Sequence, residues 1–221
     1  MLRTDLHVHT YSSRDSAMLP REIVSACLET GVNCLAITDH NRIAAAMEVA
    51  AMAPFQVIIG EEIRTTEGEI TGLFLEEEIP RDLTPEETIA RIRGQGGLVM
   101  APHPCDRIRR STILAGTLTR ILPQIDIIEA FNARVLLPVH NSLARRLAAE
   151  HGLAASSGSD AHTPGELGHA YVEMPEFKGR DEFLAALALG RVRGHLTLPL
   201  VHFITTWVKW KKRRSSKLKN A

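Results

Sequence analysis

Histidine and acidic side chains recur along this chain at the ends of short apolar segments. The first segment, residues 2–8, predicts a buried strand that carries His7 and, just beyond it, His9. These two imidazoles face the same way, because side chains two positions apart in a strand lie on one face. Comparable residues end four later apolar segments: Asp39 and His40, Glu61 and Glu62, His103, and Asp160 and His162. The arrangement of the strands therefore decides whether these side chains form one site.

Segments with helix signals separate the apolar ones. Pro20 suits the first turn of a helix and Gly31 its end, while Thr84 and Glu87 form a capping pattern. Predicted strands cover residues 2–8, 33–38, 55–63, 69–75, 98–101, 125–131, 153–156 and 170–174, and predicted helices cover 19–30, 42–52, 84–96, 138–151 and 181–189. Repeated strand–helix units predict an α/β fold with a mostly parallel sheet and helices outside it.

The polar strand ends point to one shared site. If the sheet closes into a barrel, the carboxyl ends of its parallel strands converge on one rim. A single histidine at such a place is usually an ordinary core or surface residue. Five strand ends that carry imidazole or carboxylate groups are much harder to explain that way, and these groups are ligands of divalent metal ions in proteins. The sequence therefore predicts a metal centre at the rim.

Charge is divided unevenly along the chain. The 221 residues include 26 basic and 26 acidic ones, but all the charged residues from Trp207 onward are basic. They are Lys209, Lys211, Lys212, Arg213, Arg214, Lys217 and Lys219. The preceding body therefore has 19 basic residues against 26 acidic ones. We expect one barrel domain over residues 1–195, followed by an apolar, aromatic and then basic segment over 196–221.

The role of that last segment is open between three interpretations. Residues 196–210 are too short and too polar for a membrane-spanning helix. A final helix packed on the barrel, an interfacial helix on anionic lipid, and a contact with nucleic acid all fit the pattern. Three cysteines without a CxxC spacing and the lack of a signal peptide predict a cytoplasmic protein. Association with a membrane through this segment is the second of the three interpretations. No segment predicts an obligate protein partner.

The motifs at the strand ends resemble those of a known family. They are Asp5-Leu6-His7-Val8-His9-Thr10, Ile37-Thr38-Asp39-His40, Gly60-Glu61-Glu62-Ile63, Ala101-Pro102-His103-Pro104 and Gly158-Ser159-Asp160-Ala161-His162. In this order and spacing they resemble the polymerase and histidinol phosphatase (PHP) superfamily, over roughly three quarters of the chain. The resemblance implies a distorted (β/α)7 barrel, two or three divalent ions (commonly Mn, Fe or Zn), and phosphoester hydrolysis.

The resemblance also implies three metal positions. The first would be held by His7, His9, Glu62 and Asp160. Glu62 would bridge to a second position, shared with His103 and Glu69. Asp15, His40 and His162 would hold the third. Glu61 stays open as the alternative bridge, because adjacent residues of a strand point to opposite faces, and Asp39 stays open as a residue that orients a ligand.

Arginines near the same strand ends predict a phosphate substrate, since the planar guanidinium donates two parallel hydrogen bonds. Arg107 and Arg134 are the favoured contacts, whereas Arg109 fits a solvated loop equally well. We expect a metal-dependent phosphoesterase that hydrolyses a small phosphorylated metabolite or nucleotide through a hydroxide bridging two ions. His162 is a candidate to protonate the leaving group. An exonuclease acting on short oligonucleotides and a non-catalytic, metal-stabilised module are the alternatives.

Overall fold

Strands and helices alternate along the chain, as the sequence predicts. The structure, a computed structural model, describes residues 1–219, with side chains for 1–201 and 203–214. The strands are β1 (Leu2–Val8), β2 (Cys34–Ile37), β3 (Gln56–Thr65), β4 (Gly68–Leu73), β5 (Leu98–Ala101), β6 (Ile127–Asn132), β7 (Ala154–Gly158), β8 (Ala170–Met174) and β9 (Arg191–Gly194). The α-helices are α1 (Pro20–Thr30), α2 (Ala44–Met52), α3 (Pro85–Gly94), α4 (Ala115–Ile121), α5 (Pro138–Glu150), α6 (Gly179–Ala188) and α7 (Val201–Lys219).

These strands form one sheet in the order β7-β6-β5-β4-β3-β2-β1-β8-β9. Strands β1 to β3 are parallel to one another, as are β5 to β7, while β4 runs antiparallel to both of its neighbours. The free edge of β7 curls back onto β1, where the His9 amide donates to the Ala161 carbonyl at 3.0 Å and the Asp160 amide donates to the His7 carbonyl at 2.8 Å. Strands β1 to β7 therefore form a nearly closed barrel, and the expected α/β class is confirmed.

Apolar side chains of the sheet bury the inner faces of the surrounding helices. Val8 of β1 and Leu35 of β2 pack with Ile23 of α1 and Val49 of α2 in one buried cluster. Because alternate side chains of a strand point to opposite faces, this packing directs His7 and His9 away from the helices. The hydrophobic pattern of β1 thus sets the direction in which its histidines point.

Two elements were not predicted. Helix α4 lies in a segment that contains Gly116, and it spans only Ala115–Ile121. Strand β9 has the sequence Arg-Val-Arg-Gly and is mostly exposed, so it lacks the apolar alternation that marks a strand. Both elements are held by tertiary contacts: β9 pairs antiparallel with β8, and α4 buries Leu118 and Ile121 in the core.

The segment after the barrel forms helix α7. In the described residues, no helix has the length and apolarity needed to cross a bilayer. Thr205 is 7% exposed, whereas Phe203 is 73% exposed, so one side of α7 faces the barrel and the other faces outward. The side chains of Lys217 and Lys219, and residues 220 and 221 of the predicted basic tail, lie outside the described part. Lipid or nucleic-acid contact through this tail stays a prediction.

Gly158 offers a test of barrel closure. A Cβ added there would lie 2.3 Å from His7 Cβ and 2.5 Å from Glu129 Oε1. We therefore expect Gly158→Ala to lower the free energy of unfolding by about 1–3 kcal/mol, because the strands must move apart. Urea denaturation would measure this change. Gly94→Ala is the matched control, since its Cβ would have no neighbour within 4 Å; equal effects of the two substitutions would contradict the prediction.

Candidate metal centre

The end of β1 brings two histidines to the centre of the barrel rim. His7 Nε2 lies 3.1 Å from His9 Nε2. Glu62 Oε2 of β3 lies 3.5 Å from the former and 3.4 Å from the latter. Asp160 Oδ1, just after β7, lies 3.8 Å and 3.4 Å from the same two nitrogens. Four residues from three distant segments of the sequence thus bring their donor atoms together, and each is fully buried.

Five of the six distances among these four atoms match the spacing of ligands around one ion. Tetrahedral ligands at about 2.1 Å from zinc lie about 3.4 Å from one another, and the five distances between 3.1 and 3.8 Å are close to that value. Glu62 Oε2 and Asp160 Oδ1 are buried and have no hydrogen-bond partner among the described residues. Buried carboxylate oxygens without partners are costly, so the donor set fits a divalent cation.

A second group of ligand atoms adjoins the first. Glu62 Oε1 lies 3.0 Å from His103 Nε2, so the two oxygens of this carboxylate face different groups. Glu69 Oε2 lies 3.9 Å from the same nitrogen and, within the described chain, has no hydrogen-bond partner. His40 Nδ1 lies 3.1 Å from Glu62 Oε2 and 3.7 Å from Glu69 Oε1. A carboxylate in this position is suited to bridge two cations.

Glu61 points the other way. Its Oε2 accepts a hydrogen bond from the Ile79 amide at 2.9 Å, on the face of β3 opposite Glu62. The geometry therefore favours Glu62 as the bridging ligand.

A third group lies nearer the cavity mouth. Asp15 Oδ1 is 3.3 Å from His162 Nε2, and Asp15 Oδ2 is 3.6 Å from His40 Nε2. Asp39 lies close to the ligands without being one of them. It accepts hydrogen bonds from the Thr10 amide at 2.7 Å and from Ser13 Oγ at 2.6 Å. Ser13 Oγ in turn lies 3.1 Å from His9 Nδ1. Asp39 thus orients His9, a ligand of the first group, through Ser13.

Glu129 is a residue that the sequence analysis missed. Its Oε1 lies 3.0 Å from His7 Nδ1, and its Oε2 accepts from the His103 amide at 2.6 Å and from Asn132 Nδ2 at 3.1 Å. It thereby orients the His7 ring with Nε2 toward the centre and holds the backbone at His103, whose own Nε2 faces Glu62. The signal was an acidic residue within the apolar strand β6, because a buried carboxylate needs donors around it.

The backbone is strained at two ligands. His103 has φ of 31° and Asp160 has φ of 52°, both in the left-handed region that residues other than glycine rarely adopt. Such conformations persist where the surrounding structure enforces them, and they concentrate at functional sites. Here they turn the chain immediately after β5 and β7 into the centre.

The electrostatics of the centre differ from one ligand to the next. Burial is the main cause that lowers the pKa of His9 to about 3, and the neighbouring His162 and His40 add to it. The His9 imidazole is therefore neutral and keeps a lone pair. Burial opposes ionisation of Glu62, but His7 and His40 hold its pKa well below the usual value. Metal binding requires neutral imidazole and ionised carboxylate, and His9 and Glu62 meet these conditions. Burial opposes the charge of His7, but Glu129, Asp160 and Glu62 hold its pKa well above the usual value, so His7 would release a proton when it binds a cation.

The three candidate arginines differ in where they lie relative to the centre. Arg109 lines a cavity of about 350 Å³ beside the centre, and its Nη2 donates to Asp160 Oδ2 at 2.6 Å. Arg134 also lines this cavity, but it is buried, and its Nε lies 3.3 Å from Glu166 Oε1. Arg107 is exposed and is not among the lining residues in the described chain. Of Arg107 and Arg109, only the latter is within reach of the site.

Glu129→Gln tests how the histidines are positioned. A carboxylate can accept from all three donors around it, whereas an amide has one oxygen and places an N–H₂ against at least one of them. We expect metal affinity to fall about 10–100-fold, measured by competition for Zn²⁺ with a chromophoric chelator. Glu150→Gln, at the exposed end of α5, is the control; an unchanged affinity for Glu129→Gln would exclude the orienting role.

The raised pKa of Glu61 predicts how the stability of the fold depends on pH. Burial raises its pKa from 4.5 to about 7, so the folded state holds a proton that the unfolded state releases at lower pH. Its contribution to stability is therefore present below about pH 4.5 and is lost as the pH rises through 7. We expect Glu61→Gln, which stays neutral, to be more stable than wild type at pH 8 by about 1–2 kcal/mol.

This gain should shrink at pH 5, where the wild-type carboxyl is itself protonated in the fold. Urea denaturation at the two pH values, with a chelator present, measures it. A difference that is independent of pH would show that ionisation of Glu61 is not responsible.

Comparison with known proteins identifies a family model and two archaeal relatives that match parts of this chain. Residues 138–192 match the model of the PHP-associated family. The uncharacterized protein MJ1587 of Methanocaldococcus jannaschii is 42% identical over 146 residues, which cover 60% of this chain and 82% of that protein. A second uncharacterized protein of that organism, MJ0417, is 35% identical over 178 residues, which cover 79% of this chain and 71% of that protein.

The fold also matches a solved structure. A two-domain protein from Bacteroides vulgatus, which contains a predicted PHP-like metal-dependent phosphoesterase, superposes with a TM-score of 0.68 at 19% identity, over 88% of this chain and 65% of that one. The barrel, the order of the motifs and the two archaeal relatives together place this chain in its family: it belongs to the polymerase and histidinol phosphatase (PHP) superfamily.

Proposed function

We propose that this protein is a metal-dependent hydrolase of phosphate esters that acts on a small phosphorylated metabolite or nucleotide. The observation that carries the proposal is the set of buried ligand atoms around Glu62, whose two oxygens face different groups of histidines. Divalent ions held there would supply Lewis acidity toward phosphoryl oxygens and a nucleophile at neutral pH. The likeness in fold to the Bacteroides protein supports the same class of reaction.

Each ion position has its own ligands. His7, His9 and Asp160 would hold one ion, and His103 with Glu69 would hold a second, with Glu62 between them. Zn, Mn and Fe all accept such mixed imidazole and carboxylate sets. Asp15, His40 and His162 form the third group of possible ligands.

Arg109 is the side chain best placed to bind the phosphate. Burial opposes its charge, but Asp160 and Glu62 hold its pKa above the ordinary value, so the guanidinium stays positive. It lines the cavity with one terminal nitrogen bonded to Asp160. A guanidinium in this position can donate to phosphoryl oxygens and offset charge that develops on them. We extend the phosphate-binding role, first predicted for Arg107 and Arg134, to Arg109.

His162 is the candidate for moving a proton to the leaving group. Its Nδ1 lies 2.7 Å from the Asp160 carbonyl oxygen, which leaves Nε2 facing Asp15 at the cavity. A ring held in this way presents one defined nitrogen to the substrate side.

The cavity favours a small substrate. Its volume of about 350 Å³ is at the lower end of the range for small-molecule sites. Thr205 and Lys209 of α7 form part of its wall. Together with the acidic charge of the body, this restriction favours a metabolite or nucleotide over an extended oligonucleotide.

His9→Ala and Asp160→Asn test the proposal. We expect each to reduce phosphatase activity at least about 100-fold, because each removes a ligand of the same ion. Asparagine is used at position 160 because it tolerates the left-handed backbone there. The measurement is phosphate release from a panel of phosphomonoesters and nucleotides with Mn²⁺ present.

The matched controls are His151→Ala at the end of α5 and Asp181→Asn on the surface of α6, both exposed. Circular dichroism would verify that all four variants fold. Full activity in either centre variant would remove the proposed site.

A further inference from the structure

Helix α7 is fastened across the mouth of the metal centre. Lys212 Nζ donates to the carbonyl oxygens of Tyr11, Ser13 and Ser16, each at 2.6 Å. On the other side of the mouth, Arg134 Nη2 donates to Thr205 Oγ1 at 3.3 Å. The helix is thus joined both to the loop after β1 and to the segment after β6.

This attachment brings Lys209 into the centre. Thr205, Lys209 and Lys212 are spaced by four and three positions, so they lie along one face of the helix. Lys209 Nζ lies 2.9 Å from Asp15 Oδ2 and lines the cavity. An ammonium group from the end of the chain thereby contacts a carboxylate from its beginning.

The carboxylate it contacts is the one that the third metal position depends on. Lys209 Nζ contacts Asp15 Oδ2, the oxygen that lies 3.6 Å from His40 Nε2. Asp15 Oδ1 remains 3.3 Å from His162 Nε2. A divalent ion bound between Asp15, His40 and His162 would have the ammonium of Lys209 as a close neighbour, and the two like charges would repel each other.

We propose that Lys209 places its ammonium at the third position of this centre, in place of a third metal ion. The protein with α7 docked therefore holds two divalent ions, and the ammonium completes the charge around the cavity. Lysine suits this role because it is a compact charge with three donors, and one of them is used by Asp15. The inference rests on the proposed function, since it assumes that the first and second groups of ligands, around His7 and around His103, each hold an ion.

The alternative is that Lys209 only orients Asp15 for a third ion. The two roles predict opposite effects when the charge is removed. If Lys209 replaces the ion, its loss opens the position to a cation. If it orients the ligand, its loss weakens the binding of a third ion or leaves it unchanged.

The experiment is a count of bound Mn²⁺ in purified, full-length protein after reconstitution and gel filtration, with elemental analysis, followed by calorimetric titration with Mn²⁺. We expect about two ions per wild-type chain. Lys209→Met should bind a third, with an affinity for it at least tenfold higher than in wild type. Lys211→Met is the control, because that ammonium lies 5.2 Å from the centre of the Trp207 ring; it should stay at two.

A double variant locates the extra ion. Asp15→Asn combined with Lys209→Met should return the count to two, because the additional ion needs the Asp15 carboxylate. Survival of the third ion in the double variant would overturn the inference. Three ions in wild type, or an unchanged or weaker third site in Lys209→Met, would overturn it as well.

These results are separable from the proposed function. A wild-type chain that binds no Mn²⁺ would refute the hydrolase proposal and this inference together. A chain that binds two ions in both wild type and Lys209→Met would refute this inference alone. Circular dichroism of each variant would show whether a change in count follows from unfolding.

Discussion

The structure depends on collecting negative charge on side chains that are almost completely buried. Asp15, Glu62, Glu69, Glu129 and Asp160 are all no more than 6% exposed and lie around one rim. Buried carboxylates so close together are unfavourable unless positive charge or hydrogen-bond donors surround them. Histidines, Arg109 and Lys209 supply part of that compensation, and several carboxylate oxygens have no hydrogen-bond partner within the described residues. The fold is thereby organised as a receptor for cations, with hydrolysis as the chemistry that we propose for them.

Much of this arrangement could be predicted from local rules. The two-residue period of a strand places His7 and His9 on one side, and helix signals at Pro20, Gly31 and Thr84 locate α1 and α3. The convergence of strand ends follows from a parallel barrel alone. The same period does not decide whether Glu61 or Glu62 faces the centre. It places them on opposite faces of β3 but does not say which face is inward. Only the pairing of β3 with its neighbours settles that choice.

Other features depend on contacts between distant parts of the chain. Arg107 and Arg109 lie in one loop, and its path, rather than any local pattern, brings the second into the cavity. Glu129 is recognisable only as an acid in an apolar strand. The contact of Lys209 with Asp15 joins the last helix to the first loop, and no periodicity relates them. Sequence reasoning was thus reliable for direction within an element and weak for the routes of loops and the docking of the final helix.

Strand β1 is the first element of the described chain, yet its partners at the seam, around Asp160 and Ala161, come near the end of the barrel sequence. During synthesis, one edge of β1 therefore stays unpaired while most of the protein is made. Exposed strand edges can pair with other chains. Two histidines alone hold an ion weakly, so a nascent chain carries only a fragment of its cation receptor. Metal loading would be among the last events of maturation, after the seam has closed.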